Sequence, residues 1–384
     1  MYLRVLDLVD FRSYARATVE FEPGPSVLVG LNGAGKTNLI EAAHYIATLG
    51  SHRVATDTPL VRAGASRAIV RAAIAHVDRE LLVELSIEPG KANRARLGRA
   101  PVNRTRDILG ALRLVLFAPE DLSLVRGDPG ERRRFLDDLL VLRQPRYAGV
   151  RADYDRVLKQ RNALLRSAYL ARRTGGSRGG DLSTLDVWDA HLARHGAELL
   201  AGRLELCAAL GPHVGQAYDA VSRDRSRPDG VAEARMSYLP SWEDASGRPD
   251  TAVADIEPVL RESLAAARTS EIERGITLVG PHRDELVLTI GDLPVRGYAS
   301  HGECWSYALA LKLSAYDVLR TDGIEPVLVM DDVFAELDSD RRQRLAQTLE
   351  GASQVLVTCA VDADVPAALR GRRYLVAEGE VRRA

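Results

Sequence analysis

From residue 26 the chain reads SVLVGLNGAGKTNLIEAAHYIAT: an apolar run, a turn with three glycines, then helix formers opened by a lysine and a threonine. Gly30-Leu31-Asn32-Gly33-Ala34-Gly35-Lys36-Thr37 fits GxxxxGK[ST] without a mismatch. The pattern demands a strand before the loop and a helix after it. The glycines let successive backbone N–H groups turn inward around an anion. The helix that follows offers its positive dipole end to the same point. Lys36 is expected to reach the β- and γ-phosphates of a nucleotide, and the Thr37 hydroxyl to ligate Mg²⁺.

Such a loop needs an acidic partner at the end of a neighbouring buried strand. PVLVMDDVFAELD supplies it, with Val327 to Met330 as the strand and Asp331 and Asp332 at its C-terminal end. Adjacent carboxylates repel unless a cation or water lies between them. Asp331 is therefore assigned to the Mg²⁺ side, and Asp332 to orienting or deprotonating an attacking water; with Lys36 they form the expected catalytic set. Lys36 and Asp331 stand 295 residues apart. That is too far for a small kinase or Ras-like domain, and it suits an ATPase interrupted by an insertion.

At 384 residues the chain exceeds one comfortable core. Few aromatics, 5%, and abundant Ala, Leu and Arg favour helix over an all-β fold. The net charge of −1 argues against a dedicated nucleic-acid binder, yet residues 143–180 hold ten basic and two acidic side chains. Cys207, Cys304 and Cys359 are scattered and form no zinc or disulfide pattern, which suits a reducing cytoplasm. The N-terminus lacks a signal-peptide core, and no run of 18 apolar residues suggests a membrane span.

Apolar patterning predicts strands at both chain ends and a helical middle from about 130 to 222, hence an α/β domain split by a helical insertion. Residues 66–105 alternate as an antiparallel group, and LRLVLF (112–117) reads as a buried strand. Asp128 is placed to cap a helix with Pro129 at its first position. Leu185, Leu192, Leu199 and Leu206, with Trp188 and Leu210, read as a helix-pair seam within a globular lobe. Residues 173–181 read as a flexible connection, and 223–250 as a loop with one strand near ARMSYL. Past a helix stopped by Gly275, ITLVG, ELVLTI and LPVRGY are expected strands, followed by a helix, a buried strand, a helix over 339–351 and a last strand group.

Before the acidic strand stands YASHGECWSYALALKLS. Ser300-His301-Gly302-Glu303 at a helix start resembles the signature loop of ABC-type ATPases, a serine hydroxyl and a glycine N–H that receive a γ-phosphate. AELD, with Glu336 and Asp338, resembles the D-loop. DFRSY, FAPEDLSLVRGDPGERRRFLD (117–137), GKTNLIEA and RGITLVGPHRDEL narrow the resemblance to the RecF family of recombination and repair ATPases, in the SMC-like branch.

That resemblance implies an ABC/SMC-type P-loop ATPase head with an antiparallel β subdomain over 1–120 and 270–384. An inserted, mostly helical lobe occupies 121–269. It implies ATP and Mg²⁺ as ligands, a homodimer closed by ATP with the signature loop acting on the other protomer's nucleotide, and slow hydrolysis that releases it. DNA (single-stranded, double-stranded and junctions) and the mediators RecR and RecO are the implied partners. Arg12 becomes a triphosphate or adenine-side contact, and Glu120 and Asp121 a loop sensing Mg²⁺ and γ-phosphate. The chain departs from the family pattern at Glu303, usually Gln, and at Cys304 and Trp305, where Arg or Lys is usual. A carboxylate cannot donate to a phosphate, so Glu303 is expected to contact ribose or buttress the loop. Thr358 stands where ABC transporters carry histidine.

Arg132-Arg133-Arg134 and the basic 143–180 segment read either as solvated faces or as surfaces toward DNA. Tyr147, Tyr154 and Tyr169 read as helix core, and His191 and His195, four apart without a third ligand, as ordinary helix histidines. His282, Arg283 and Asp284 remain open between a turn and a site. A P-loop kinase or GTPase would leave SHGE unexplained, and a transporter ATPase subunit would need a membrane partner and a shorter insert.

Overall fold

The structure, a computed structural model, describes residues 1–76, 79–173, 184–222, 233–242, 252–323 and 325–384. The chain opens with β1 (Tyr2–Phe11), β2 (Tyr14–Glu20), β3 (Gly24–Val29) and α1 (Lys36–Thr48). Then come β4 (Ala68–His76), β5 (Arg79–Ile87), β6 (Arg94–Leu97), β7 (Ala100–Pro101), β8 (Leu114–Phe117) and α2 (Leu122–Arg126). The middle holds α3 (Pro129–Arg143), α4 (Tyr147–Arg173), α5 (Leu185–Ser222), β9 (Ala234–Leu239), α6 (Val253–Arg274), β10 (Glu285–Ile290) and β11 (Leu293–Pro294). A short turn of helix α7 (Val295–Tyr298) leads to α8 (His301–Thr321), β12 (Val327–Asp331), α9 (Ser339–Thr348), β13 (Gln354–Cys359), β14 (Arg372–Ala377) and β15 (Glu380–Arg383).

Two compact units share this chain. The first comprises Met1–Val125, His213–Ala234 and Ala299–Ala384; the second comprises Arg126–Pro212 and Arg235–Tyr298. These divisions differ from the expected ones. The last turns of α5 belong to the first unit, and residues 270–298 to the second, where Thr277, Pro281 and Asp284 are bonded to its helices and to β9.

In the first unit, one sheet runs β15-β14-β3-β13-β12-β8, with all neighbours parallel except the β14–β15 hairpin. β12 and β13 are buried along their whole length, as parallel strands covered on both faces must be, and this explains their unbroken apolar runs. The second sheet is antiparallel in the order β2-β1-β4-β5-β6-β7. There Val83, Leu85 and Ile87 of β5 point inward while the residues between them are at least partly open, giving the alternation seen in the sequence.

The second unit is mainly helical, with a three-stranded sheet β11-β10-β9. Leu185, Leu192, Leu199, Leu206 and Leu210 are all buried along α5. ITLVG is not a strand: its backbone and side chains are held one by one, Thr277 by Asn162 and Arg161, and Leu278 N–H by Glu271. LPVRGY pairs only at Leu293–Pro294, because Gly297 at φ 89° turns the chain. Asp128 sits at the helix start as expected but makes no side-chain capping bond. The helix expected over 339–351 stops at Thr348. The expected connection lies outside the described residues from 174 to 181; of the expected loop, only 233–242 are described, and they hold the strand at ARMSYL.

Candidate nucleotide site

The parallel order β3-β13-β12 brings the loop and the acidic pair to the same end of one sheet. Residues 30–35 leave β3 and α1 begins at Lys36. Gly33 and Gly35 adopt φ of 83° and 112°, backbone that side-chain-bearing residues avoid. A Cβ at Gly35 would also lie 2.6 Å from the Tyr14 hydroxyl, which donates to the Gly35 carbonyl at 3.0 Å. Lys36 is nearly buried, its ammonium donating to the carbonyls of Gly30 (2.8 Å) and Leu31 (3.2 Å). Leu31 is 81% exposed; Asn32 and Gly33 are also exposed and Ala34 partly so.

Asp331 closes β12 almost fully buried. Its Oδ1 accepts from Thr37 Oγ1 at 3.2 Å and Thr358 Oγ1 at 2.6 Å, so residues from three segments converge on one carboxylate oxygen. Burial pushes this carboxyl up to about 6; the two hydroxyls oppose the rise, while the neighbouring charges of Asp332 and Glu120 add to it. Asp332 adopts a left-handed backbone (φ 52°) and donates its N–H to Thr358 Oγ1 at 2.9 Å. Thr358, in β13 between the two strands, thus holds both acids.

The pair Glu120 and Asp121 divides. Glu120 is exposed and adds its field to Asp331. Asp121 turns away to accept from Ala118 N–H and pairs with Lys312 of α8 at 2.8 Å. Arg12 makes a bidentate pair with Glu41, at 2.7 and 2.6 Å. Glu41 is fully buried in α1, and Ser51 also donates to it. Arg12 therefore steadies the helix behind the loop.

Ser300 caps α8: its Oγ accepts from Glu303 N–H at 3.3 Å while the Glu303 carboxylate accepts from Ser300 N–H at 2.8 Å. This reciprocal box gives Glu303 the buttressing role, which a carboxylate performs well at a helix N-terminus. Ser300 and His301 are exposed. A Cβ at Gly302 would meet the Arg341 guanidinium at 2.5 Å, so glycine lets α9 approach the signature turn. Arg341 is paired in turn with Asp338, which caps α9. Glu336 is exposed. Cys304 and Trp305, unusual for the pattern, face the core.

Arg132 is buried against Glu285 (2.8 Å), not solvated, and Arg133 donates to the Asp284 carbonyl; Arg134 stays exposed beside Glu131. Asp284 accepts from the Tyr238 hydroxyl and Ser241 N–H. His282 Nδ1 lies 2.7 Å from the Tyr154 hydroxyl, and Arg283 donates to the Thr277 carbonyl. His191 and His195 join no group of metal-binding side chains among the described residues. Sequence reasoning missed Tyr14, Glu41, Lys312 and Arg341. Tyr14, Glu41 and Lys312 fall inside strings the sequence singles out, DFRSY, GKTNLIEA and YASHGECWSYALALKLS, but nothing in those strings shows their roles.

The chain matches the family described as RecF/RecN/SMC N terminal domain over residues 2–373. It is 60% identical over 383 residues to the DNA replication and repair protein RecF of Streptomyces avermitilis, and 60% identical over 384 residues to that of Frankia alni, covering 100% of both chains in each case. A solved structure of the recombination mediator protein RecF-ATP in the RecFOR pathway superposes with a TM-score of 0.87 at 26% identity, covering 100% of this chain and 97% of that one. An Smc head bound to the C-winged helix domain of ScpA shares the fold, with a TM-score of 0.56 at 17% identity. With its phosphate loop, acidic strand end and capped signature turn in one ATPase head, the chain belongs to the RecF family of DNA replication and repair proteins.

Proposed function

We propose that the protein is an ATP-gated DNA clamp, a weak DNA-dependent ATPase acting as a switch at gaps and junctions in recombinational repair. The observation that carries the nucleotide part is the 3.2 Å bond from Thr37 to Asp331 across 294 residues. A hydroxyl and a carboxylate side by side are hard oxygen donors that suit Mg²⁺, which keeps several waters and phosphate oxygens as its other ligands. When bound, that ion would neutralise developing charge on the phosphates. Gly30 to Thr37 wrap the phosphates, Lys36 moves from the loop carbonyls to the γ-phosphate, and Asp332 orients the attacking water. Exposure of Ser300 and His301 supports their use by a second protomer's nucleotide, with Glu336 and Asp338 at the same junction.

In this reading RecR and RecO are the partners and the cytoplasm the location; no described helix is long and apolar enough to cross a membrane. ATP should convert micromolar protein from monomer to dimer in sedimentation, and Lys36→Ala should abolish the conversion. An unchanged monomer with ATP would reject the clamp.

A further inference from the structure

Five of the ten basic residues of 143–180 are paired with acids among the described residues. Arg143 pairs with Glu205, Arg146 with Glu198, Arg151 with Asp138, Arg156 with Asp153, and Arg161 with Asp189 and Glu271. A different segment keeps most of its charge. Residues 91–106 hold six basic and no acidic side chains; Arg94–Pro101 among them form the β6–β7 hairpin at the edge of the antiparallel sheet, and Arg104 follows just past it.

Ala95 of β6 is buried, so strand alternation sends Arg94 and Arg96 out on the opposite face, about 7 Å apart. Gly98 at φ 63° makes the two-residue turn that lifts Arg99 to the tip. Arg94, Arg96, Arg99 and Arg104 are all exposed, and none forms an ion pair among the described residues. Their acidic neighbours are committed elsewhere. Glu84, opposite Arg96, is bonded to Arg71 at 2.6 Å; Glu88 is bonded to Lys91 at 2.8 Å; and the Asp107 carboxylate accepts from Arg104 N–H.

We propose that the β6–β7 hairpin is a contact surface for the DNA phosphate backbone, with Arg94, Arg96, Arg99 and Arg104 as its anchors. This rests on the reading that the protein binds DNA. Two exposed guanidinium groups at strand spacing, with Arg99 at the turn and Arg104 just past the hairpin, offer planar, two-pronged donors to successive phosphates without reading bases. Charged side chains also guard sheet edges from pairing, and the test separates the two roles.

The full chain carrying Arg94→Glu, Arg96→Glu and Arg99→Glu is compared with the parent, and with a chain carrying Arg156→Glu, Lys159→Glu and Arg166→Glu. Fluorescence anisotropy with a labelled gapped duplex and ATP is read from about 0.05 to 0.2 M salt. The hairpin variant is expected to bind at least about tenfold more weakly, with a log–log salt slope shallower by roughly 2 to 3, while ATP affinity is unchanged. The helical variant should lose much less. If the hairpin variant keeps the parent's affinity and salt slope, the arginines only guard an edge and the proposal fails. If the parent itself binds no DNA in any nucleotide state, the underlying reading fails instead.

Discussion

Two buried sites, one in each unit, hold their charge in opposite ways. In the second unit, Arg161 and Arg203 neutralise buried acids. Arg161 is fully buried and donates to Asp189 (2.7 Å), Glu271 (2.6 Å) and Thr277 (2.9 Å). Arg203 grips Asp137 through two nitrogens, and also bonds the Tyr238 hydroxyl and the Pro281 carbonyl. In the first unit, Asp331 is as buried as these acids but accepts from the hydroxyls of Thr37 and Thr358, with two more acids adding to its field. A buried acid paired with arginine ties helices together. A buried acid held only by hydroxyls is set to receive a cation from outside, and the fold bears its desolvation until then.

The largest effect is expected from breaking the second unit's network. Arg161→Met or Arg203→Met should lower the unfolding free energy by about 3–5 kcal/mol, since each leaves buried carboxylates without their partner. Trp188 and Trp242 lie in the second unit and Trp305 in the first. Denaturant titration by fluorescence in a Trp305→Phe background would therefore report the right unit.

Asp331→Asn is expected to act in the opposite sense. ATP hydrolysis should fall at least about a hundredfold, the scale of a lost metal ligand. In buffer free of divalent cations, however, the first unit should gain about 1–3 kcal/mol, because a buried charge is removed while both hydroxyl partners are kept. If this substitution destabilised the protein as much as Arg161→Met, the contrast between the units would be lost.

The third effect depends on pH. Burial holds His282 down to about 4, below the ordinary value of 6.5. A depressed folded pKa means the unfolded chain takes up the proton first. The stabilisation is therefore intact above pH 6.5 and is lost as pH falls toward about 4, at up to about 1.4 kcal/mol per unit. His282→Gln should flatten that part of the second unit's stability profile; an unaltered profile would show that His282 carries none of it. The smallest effect belongs to the exposed pairs of the same unit. Arg146→Ala, which removes the bond to Glu198, should cost less than about 1 kcal/mol.

The local chemistry was legible because it is written in contiguous residues. The loop from Gly30 to Thr37, the strand ending in Asp331, the stop at Gly275 and the alternation of β5 each follow from neighbours in the chain. Errors arose where long-range bonds override local pattern. ITLVG has strand composition, yet Arg161, Asn162 and Glu271 hold it out of any sheet. Arg132 looked like part of a solvated run, but Glu285 draws it inward. The basic run at 143–180 looked like a charged surface, and its acidic partners come from α3, α5 and α6 as well as its own helix.

From sequence alone came the phosphate loop, the acidic pair, the signature turn and an ATPase head with a helical insertion, because each rests on spacing within one strand, turn or helix. Only the tertiary structure decided that Thr358 holds both acids, that Asp121 pairs with Lys312 while Glu120 stays exposed, that Arg12 pairs with Glu41, and which basic residues keep their charge. Those outcomes depend on which distant group reaches a buried charge first. Strand order and burial determine that, and no single stretch of chain contains them.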